Sequence, residues 1–492
     1  MPTIIPPMPR AAAGPVEFEE LRNFFRFAGW NEEAVCDRLE IPNLAGVQPE
    51  AVRRNESGPL QSACDALIKL FIEGWPLART EASLWLTAEG LQLLEQFRLL
   101  MPHGSEELAA TVSLYPIEDL YVASDRYNNA DGSLYDGWDD LVYPCLFVTT
   151  RKFIQNVPRT PCGDVLDLCA GTGIGALLVA PNAKRVLAAD LTPRCDEFMQ
   201  FNARLNGFTN IETGTGDLYA PAKGRRFDRI IVHPPYQPVL EHIAVFNSGG
   251  ADGEQITRRI LEGAPAHLNP GGQLYCLCQL TDRDYPVEYR VRQWITEAES
   301  RVCDVAFVVY KHHDVSRYTA SETLQEKKTY AAWQAWMKAF TDAGVRDMVY
   351  GMVVLQHGTE ARDMFTVRRE GPACEAADIP ALVAWETRAS LSGFADFAMA
   401  SRPKAREGSS MHVEHALGGG GWRQESLKLA RSTPFEVRIE IDPVTANLLA
   451  QMDGSKSGQE LKDSLPFAVP PEQMAGLIRM LVSNGFVELL TS

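Results

Sequence analysis

The stretch "DVLDLCAGTGIG", residues 164 to 175, limits the fold more than any other part of the chain. An apolar run from Val165 to Leu168 reads as a strand buried on both faces, three glycines follow at 171, 173 and 175, and "ALLVA" opens a helix. Glycines let the backbone turn sharply and approach a ligand closely, and the helix start beyond them offers unpaired N–H groups to an anion. A strand, a tight turn and a helix in this order form one unit of a parallel sheet covered by helices, because parallel strands need long crossover connections.

The unit recurs downstream. "GDVLDLCA", "KRVLAADL", "NIETGTGDL", "FDRIIVHPP", "GGQLYCLCQL", "VCDVAFVVYK" and "RDMVYGMVVLQ" read as up to seven strands, with helical stretches such as "PRCDEFMQFNARLNG" and "GEQITRRILEGAPAHL" between several of them. The expected class is α/β with a mostly parallel sheet. Tyr330, Trp333, Trp336, Met337 and Phe340 recur at three- and four-residue intervals, as a helix packed on that sheet requires.

Around this core, residues 1–110 carry helical spacing in "FEELRNFFRFAG" and "PLQSACDALIKLFIEG" and read as a helical N-terminal domain. The α/β domain is expected over 111–400, opening with a connecting segment over 111–160 rich in Asn, Asp and Gly. "RPKAREGSSMHVEHALGGGGW" mixes charge, serine and four successive glycines, so 401–430 reads as a flexible loop or linker. Strand-like "FEVRIEID", helical "PVTANLLAQMDG" and "PPEQMAGLIRMLVSNG", and a final "FVELL" suggest a small winged-helix-like module over 431–492.

Composition narrows the function classes. A formal charge of −17 repels phosphate backbones and disfavours nucleic acid as a partner. No apolar run of roughly 18 residues occurs and the start lacks a secretory core, so no membrane span and a cytoplasmic location are expected. Ten cysteines without a C-x-x-C pair read as reduced thiols, with Cys276 and Cys278 as core residues on one face of a strand. His412, Glu414 and His415 lack a further ligand, and no metal site is expected.

The strand ends carry the chemistry. Asp190 closes the second strand, nineteen residues after Gly171, where a carboxylate accepts hydrogen bonds from ribose hydroxyls. Asp217 follows the third, where it can accept from an adenine amino group. The fourth ends in His233-Pro234-Pro235-Tyr236, whose prolines lack N–H groups and stiffen an edge facing a cleft. G-x-G-x-G spacing in place of G-x-G-x-x-G argues against a pyrophosphate.

In this order and spacing, "DLCAGTGIG", "AAD", "GD" and "HPPY" resemble the motifs of class I S-adenosylmethionine-dependent methyltransferases. More narrowly, the chain is similar to the release-factor glutamine methyltransferase and "methyltransferase small domain" group, whose fourth strand ends in Asn-Pro-Pro-Tyr. "SGGADGEQITRRIL" and "LNPGGQLY" extend the likeness, which covers roughly residues 160–280. The resemblance implies a Rossmann-like seven-stranded domain, S-adenosylmethionine as cofactor and no metal. It places Asp167, Gly171, Gly173 and Gly175 at the methionine end, Asp190 at the ribose, Asp217 at the adenine, and His233, Pro234 and Tyr236 at the acceptor.

His233 departs from the group's asparagine. A neutral imidazole accepts a hydrogen bond as an amide oxygen does, but it also takes up protons near pH 6.5, so it reads equally as a general base or as an asparagine surrogate. The expected activity is methyl transfer to a nitrogen (amide, guanidine or amine) of a small molecule, amino acid or peptide. A nucleic-acid base methyltransferase of the adenine N6 type and a non-catalytic cofactor-fold scaffold are the alternatives. Glu241 and His242, just beyond the Pro-Pro corner, are further candidates for the same pocket.

Overall fold

All seven strands expected from the sequence are present in the computed structural model, which describes residues 8–47, 59–126, 140–239, 248–295, 302–325, 329–359 and 362–490. The chain divides into two units, Met1–Cys278 and Gln279–Ser492.

In the first unit, helices α1 (Pro15–Phe27), α2 (Glu32–Leu39), α3 (Ala63–Leu67), α4 (Arg79–Leu86) and α5 (Ala88–Gln96) accompany three short antiparallel strands. These are β1 (Leu77–Ala78), β2 (Leu100–His103) and β3 (Glu107–Ala110), in the order β1-β3-β2. The N-terminal region is therefore not purely helical. Its strands of two to four residues are too short to show an alternating pattern. The segment expected to be a connection contains a hairpin, β4 (Ser113–Ile117) with β5 (Leu120–Ser124), and helix α6 (Val148–Asn156).

The main sheet of this unit runs β10-β9-β6-β7-β8: β6 (Cys162–Leu168), β7 (Ala183–Asp190), β8 (Ile211–Thr215), β9 (Phe227–Val232) and β10 (Leu268–Asp282). Every neighbouring pair is parallel. Helices α7 (Ile174–Val179), α8 (Pro193–Leu205) and α9 (Gln255–His267) provide the crossovers. The stretches Val165–Leu168, Val186–Ala189 and Ile230–Val232 are continuously buried and, Asp167 apart, apolar without alternation, as strands covered on both faces must be. In register, Leu168 faces Val232 on one side and Ala189 on the other, and Asp190 faces Thr215. Four strand ends thus reach one edge together.

The N-terminal elements brace α8, whose start is set by Pro193 and by the Thr192 side chain accepting the Cys195 N–H. Phe18 and Phe97 pack on Phe201 of α8 at ring-centroid distances of 5.6 and 6.2 Å. Arg22 donates to the carbonyls of Arg204 and Leu205 at the helix's last turn, where the free carbonyls concentrate negative charge. Buried Asn202 accepts from the Ala123 N–H at 2.8 Å and donates to the Ala123 and Thr172 carbonyls at 2.9 and 2.8 Å. It joins the β4–β5 hairpin to the glycine turn.

In the second unit, β11 (Cys303–Asp314) pairs antiparallel with β12 (Asp347–His357) and parallel with β13 (Thr366–Glu370). The strand β13, "TVRRE", is an addition to the seven expected; it is half-buried and charged, so no apolar pattern marks it. Helices α10 (Val287–Trp294), α11 (Val315–Gln325) and α12 (Tyr330–Asp342) accompany these strands. Of the α12 aromatic stripe, Trp336 and Phe340 are buried while Tyr330 is exposed.

The expected linker over 401–430 is corrected by the structure: β14 (Arg402–Ala405) is followed by a regular ribbon of β15 (Ser410–Gly418) and β16 (Gly421–Arg431). Gly418 pairs with Gly421, so the glycine run closes a two-residue hairpin turn. Because β15 is exposed on both faces, its residues carry little polar contrast, and glycine content dominated the sequence signal. His412, Glu414 and His415 lie on this ribbon, and no metal-holding cluster occurs among the described residues.

Beyond the ribbon come β17 (Val437–Glu440), three helices over Pro443–Gln451, Gly458–Asp463 and Pro471–Ser483, and β18 (Val487–Leu490), which pairs with β14. Their core also takes in Ala389, Phe394, Ala398 and Met399 from two preceding helices, Asp378–Ala389 and Phe394–Ala400. The module's packing therefore begins well before residue 431.

Asn202→Ala should destabilise the protein by on the order of 3 kcal/mol, since it strands one N–H and two carbonyls in a dry interior. Urea denaturation measures the loss, and a change below about 0.5 kcal/mol would mean that water replaces the amide without penalty.

Candidate active site

The level strand ends gather the residues singled out in the sequence at one edge of the first unit's sheet. Asp167 lies at the end of β6, Gly171, Gly173 and Gly175 in the turn into α7, Asp190 at the end of β7, Asp217 just after β8, and His233, Pro234 and Tyr236 just after β9. Glu241 and His242 fall outside the described residues.

The turn itself is tight. Cys169 and Gly171 adopt positive φ of 53°, and Gly173, which starts α7, has φ 80°. A side chain at Gly173 would meet left-handed backbone strain on the order of 1 kcal/mol. At Gly175 the constraint is space: an added Cβ would lie 2.7 Å from both Asp167 carboxylate oxygens. That vacancy lets Asp167 accept the Ala176 N–H at 2.7 Å.

Asp167 is buried, and the lost hydration pushes its carboxyl up to about 8, against the help of the Ala176 hydrogen bond. Asp190 turns back on the loop, its two oxygens accepting the Gly171 N–H at 2.8 Å and the Leu191 N–H at 2.7 Å. Asp217 pairs with Arg259 of α9 at 2.5 Å. Burial first, and then the nearby charges of Asp190, Asp167 and Asp217, hold the Cys169 thiol well above its ordinary range. This strand-end edge gathers carboxyl groups and backbone N–H groups, a set that suits a cationic ligand carrying hydroxyls.

Beside it stands an aromatic slot. The His233 ring lies nearly parallel to Phe153 of α6, with centroids 5.4 Å apart and planes 14° apart, and it meets Tyr236 at 5.7 Å and 45°. Its Nε2 is shielded from water and has no hydrogen-bond partner among the described residues. Burial without a neighbouring carboxylate pulls the imidazole down to about 4, so the ring is neutral at physiological pH. The segment after Tyr236 is pinned by backbone bonds to the turn before α9, Gly249 N–H to the Gln237 carbonyl at 2.9 Å and Val239 N–H to the Gly250 carbonyl at 3.0 Å.

Phe153, Cys169 and Arg259 were not singled out from sequence. Phe153 sits in an ordinary amphipathic helix, Cys169 is one of ten scattered thiols, and Arg259 is visible only as part of "ITRRIL". Only the folded chain brings them to this edge.

Residues 148–311 match the family model described as "Methyltransferase small domain". A "Ribosomal protein uL3 glutamine methyltransferase" from Bradyrhizobium diazoefficiens is 37% identical over 141 residues, covering 25% of this chain and 44% of that one. A "Release factor glutamine methyltransferase" from Xylella fastidiosa is 36% identical over 138 residues, covering 25% and 50%. A "Putative protein N5-glutamine methyltransferase" from Methanocaldococcus jannaschii is 30% identical over 131 residues, covering 25% and 66%. The chain thus spans about half the length of the relatives it matches. No helix among the described residues is long and apolar enough to cross a membrane.

A carboxyl whose value is raised by folding stabilises the folded chain while protonated, and that contribution is lost as pH rises from its unfolded value near 3.9 through its folded value. For Asp167 the window ends at about 8. Asp167→Asn keeps the shape and the acceptor oxygen, so its melting temperature should gain on the parent's as pH is raised from about 5 to about 9. A gap that does not change with pH would show that Asp167 titrates as an ordinary carboxylate.

Proposed function

With residues 148–311 a class I S-adenosylmethionine-dependent methyltransferase domain of the small-domain group, we propose that the chain methylates the side-chain amide nitrogen of a glutamine in a protein or peptide. The observation that carries the choice of acceptor is the unpartnered Nε2 of His233 in its aromatic slot. The printed names of the relatives support it, since each is a glutamine methyltransferase.

S-adenosylmethionine supplies a methyl group already activated by its positive sulfur. Asp167 with the three glycines would hold its methionine end, Asp190 its ribose and Asp217 its adenine. The fit rests on the carboxyl groups of Asp167 and Asp190 bonded to the glycine turn, and on Asp217 just after the neighbouring strand. His233 and Pro234 then act on the acceptor. With its proton on Nδ1, His233 accepts one amide hydrogen through Nε2, the Pro234 carbonyl accepts the other, and Tyr236 packs on the amide plane. So held, the nitrogen lone pair points at the transferred carbon, and catalysis is mainly orientation. The nitrogen forms a bond to carbon as the carbon–sulfur bond breaks. The N-protonated amide cation that results is strongly acidic and passes one proton to water, leaving the neutral N-methyl amide without need of a strong base.

Between the two readings of His233, the low basicity favours the asparagine surrogate. A hydroxyl or ammonium acceptor needs a base near neutrality, which a ring with its pKa pulled down to about 4 does not provide. The formal charge of −17 weighs against a nucleic-acid acceptor.

Incubation with S-adenosylmethionine and glutamine-containing peptides should add one methylene of mass at glutamine and nothing to the matching glutamate peptides. Gain on peptides that lack glutamine would overturn the acceptor. His233→Asn should keep turnover within about tenfold, whereas His233→Ala should lose about a hundredfold, the scale of one oriented hydrogen-bonding group. The rate should show no inflection near pH 6.5, where an unperturbed imidazole base would give one. Because a bound cation requires the Asp167 carboxylate, cofactor affinity should rise with pH and level off above about 8. Calorimetry across that range checks it.

A further inference from the structure

Arg259 and Asp217 are both largely solvent-exposed, with side-chain exposures of 46% and 57%, yet their atoms approach to 2.5 Å. A surface pair of this kind contributes little to stability, so stability gives little reason for it. Its location is more informative. Asp217 ends the turn after β8, with Leu218 beyond it at φ 49°, and its carbonyl accepts the Ala220 N–H at 3.0 Å. Arg259 lies one turn into α9, on the face opposite Ile260, Leu261 and Ala264, which are buried. The start of α9 is tied to the Pro-Pro corner through Gln255 N–H to the Gly249 carbonyl at 2.9 Å and Gly249 N–H to the Gln237 carbonyl at 2.9 Å. The ion pair therefore links the turn after β8 to the helix anchored at the Pro-Pro corner. The guanidinium occupies only Oδ2 of Asp217, and Oδ1 has no protein partner among the described residues.

We propose that Arg259 is a positioning residue for the nucleoside, holding Asp217 in the rotamer that leaves Oδ1 to accept from the exocyclic amino group of adenine. The inference rests on the reading of Asp217 as the adenine contact. Without Arg259 the carboxylate, on an exposed turn, spreads over several rotamers, and the ordering must then be supplied at binding. Selectivity for the amino group falls with it. Lysine restores the charge but not the planar fork that fixes the carboxylate's orientation, so it rescues only in part.

The test titrates the full-length protein by calorimetry with S-adenosylhomocysteine and with its purine analogue lacking the exocyclic amino group. The parent should favour the amino compound. Arg259→Ala should bind S-adenosylhomocysteine about five- to tenfold more weakly, the scale of one oriented charge contact, and lose most of that preference. Its affinity for the analogue and its melting temperature should stay unchanged, which separates positioning from a structural role. Arg259→Lys should fall between the two. An Arg259→Ala variant that keeps the preference while Asp217→Ala loses it overturns the role of Arg259 and leaves the adenine contact standing. Preference retained in both variants overturns the adenine contact itself, and a parent that binds neither compound overturns the cofactor reading. Tighter binding in Arg259→Ala would mean that the arginine competes with the ligand, which also overturns the proposal.

Discussion

The hydrogen bond from the Ala176 N–H to the Asp167 carboxylate ties the end of β6 to the first turn of α7, and the arrangement of the edge depends on it. It exists because Gly175 has no side chain; a Cβ there would occupy the space of the carboxylate. With Asp167 bonded to α7, Gly171 presents its N–H to Asp190, so the glycine turn is held by carboxyls from two strand ends. The parallel register does the rest, since Leu168 is level with both Val232 and Ala189.

Two groups at this edge are held in environments that oppose their charged forms. The Asp167 carboxyl is pushed up to about 8 and the His233 ring pulled down to about 4, both by burial. Each works against stability over part of the pH range, in opposite directions, and a fold that retains both spends stability on the site. A buried acid that becomes an anion on meeting a cation, and a neutral ring with an unmet nitrogen, are groups waiting for ligands. Asp167 keeps its structural bond to Ala176 either way, whereas the unmet nitrogen of His233 has no such partner among the described residues.

The surroundings hold this edge rigid. Asn202 bonds the β4–β5 hairpin and the glycine turn at once, and Phe18, Phe97 and Phe201 lock the N-terminal elements onto α8. The first unit is thus a sheet with a brace. The ribbon of β15 and β16 belongs to the second unit, where Leu427 and Leu429 enter the C-terminal core while Leu417 and Trp422 near its turn are exposed.

By itself the sequence determined the parallel core and the positions of the candidate residues, because strands buried on both faces are written as unbroken apolar runs and each motif lies within a few residues of a strand end. The glycines, Asp190 and the His-Pro-Pro-Tyr corner were legible for that local reason. Short or exposed elements were not: β1 to β3 are too brief for periodicity, and β15 has no buried face to mark it, while in β16 only Leu427 and Leu429 are buried. Only the tertiary structure decided which side chains from distant segments meet these motifs. Phe153 reaches His233 across 80 positions of sequence, and Arg259 reaches Asp217 across 42. Such pairings depend on strand order and helix placement, which no local pattern encodes. The neutrality of His233 is also a property of its burial, and burial is decided by everything that packs around a residue.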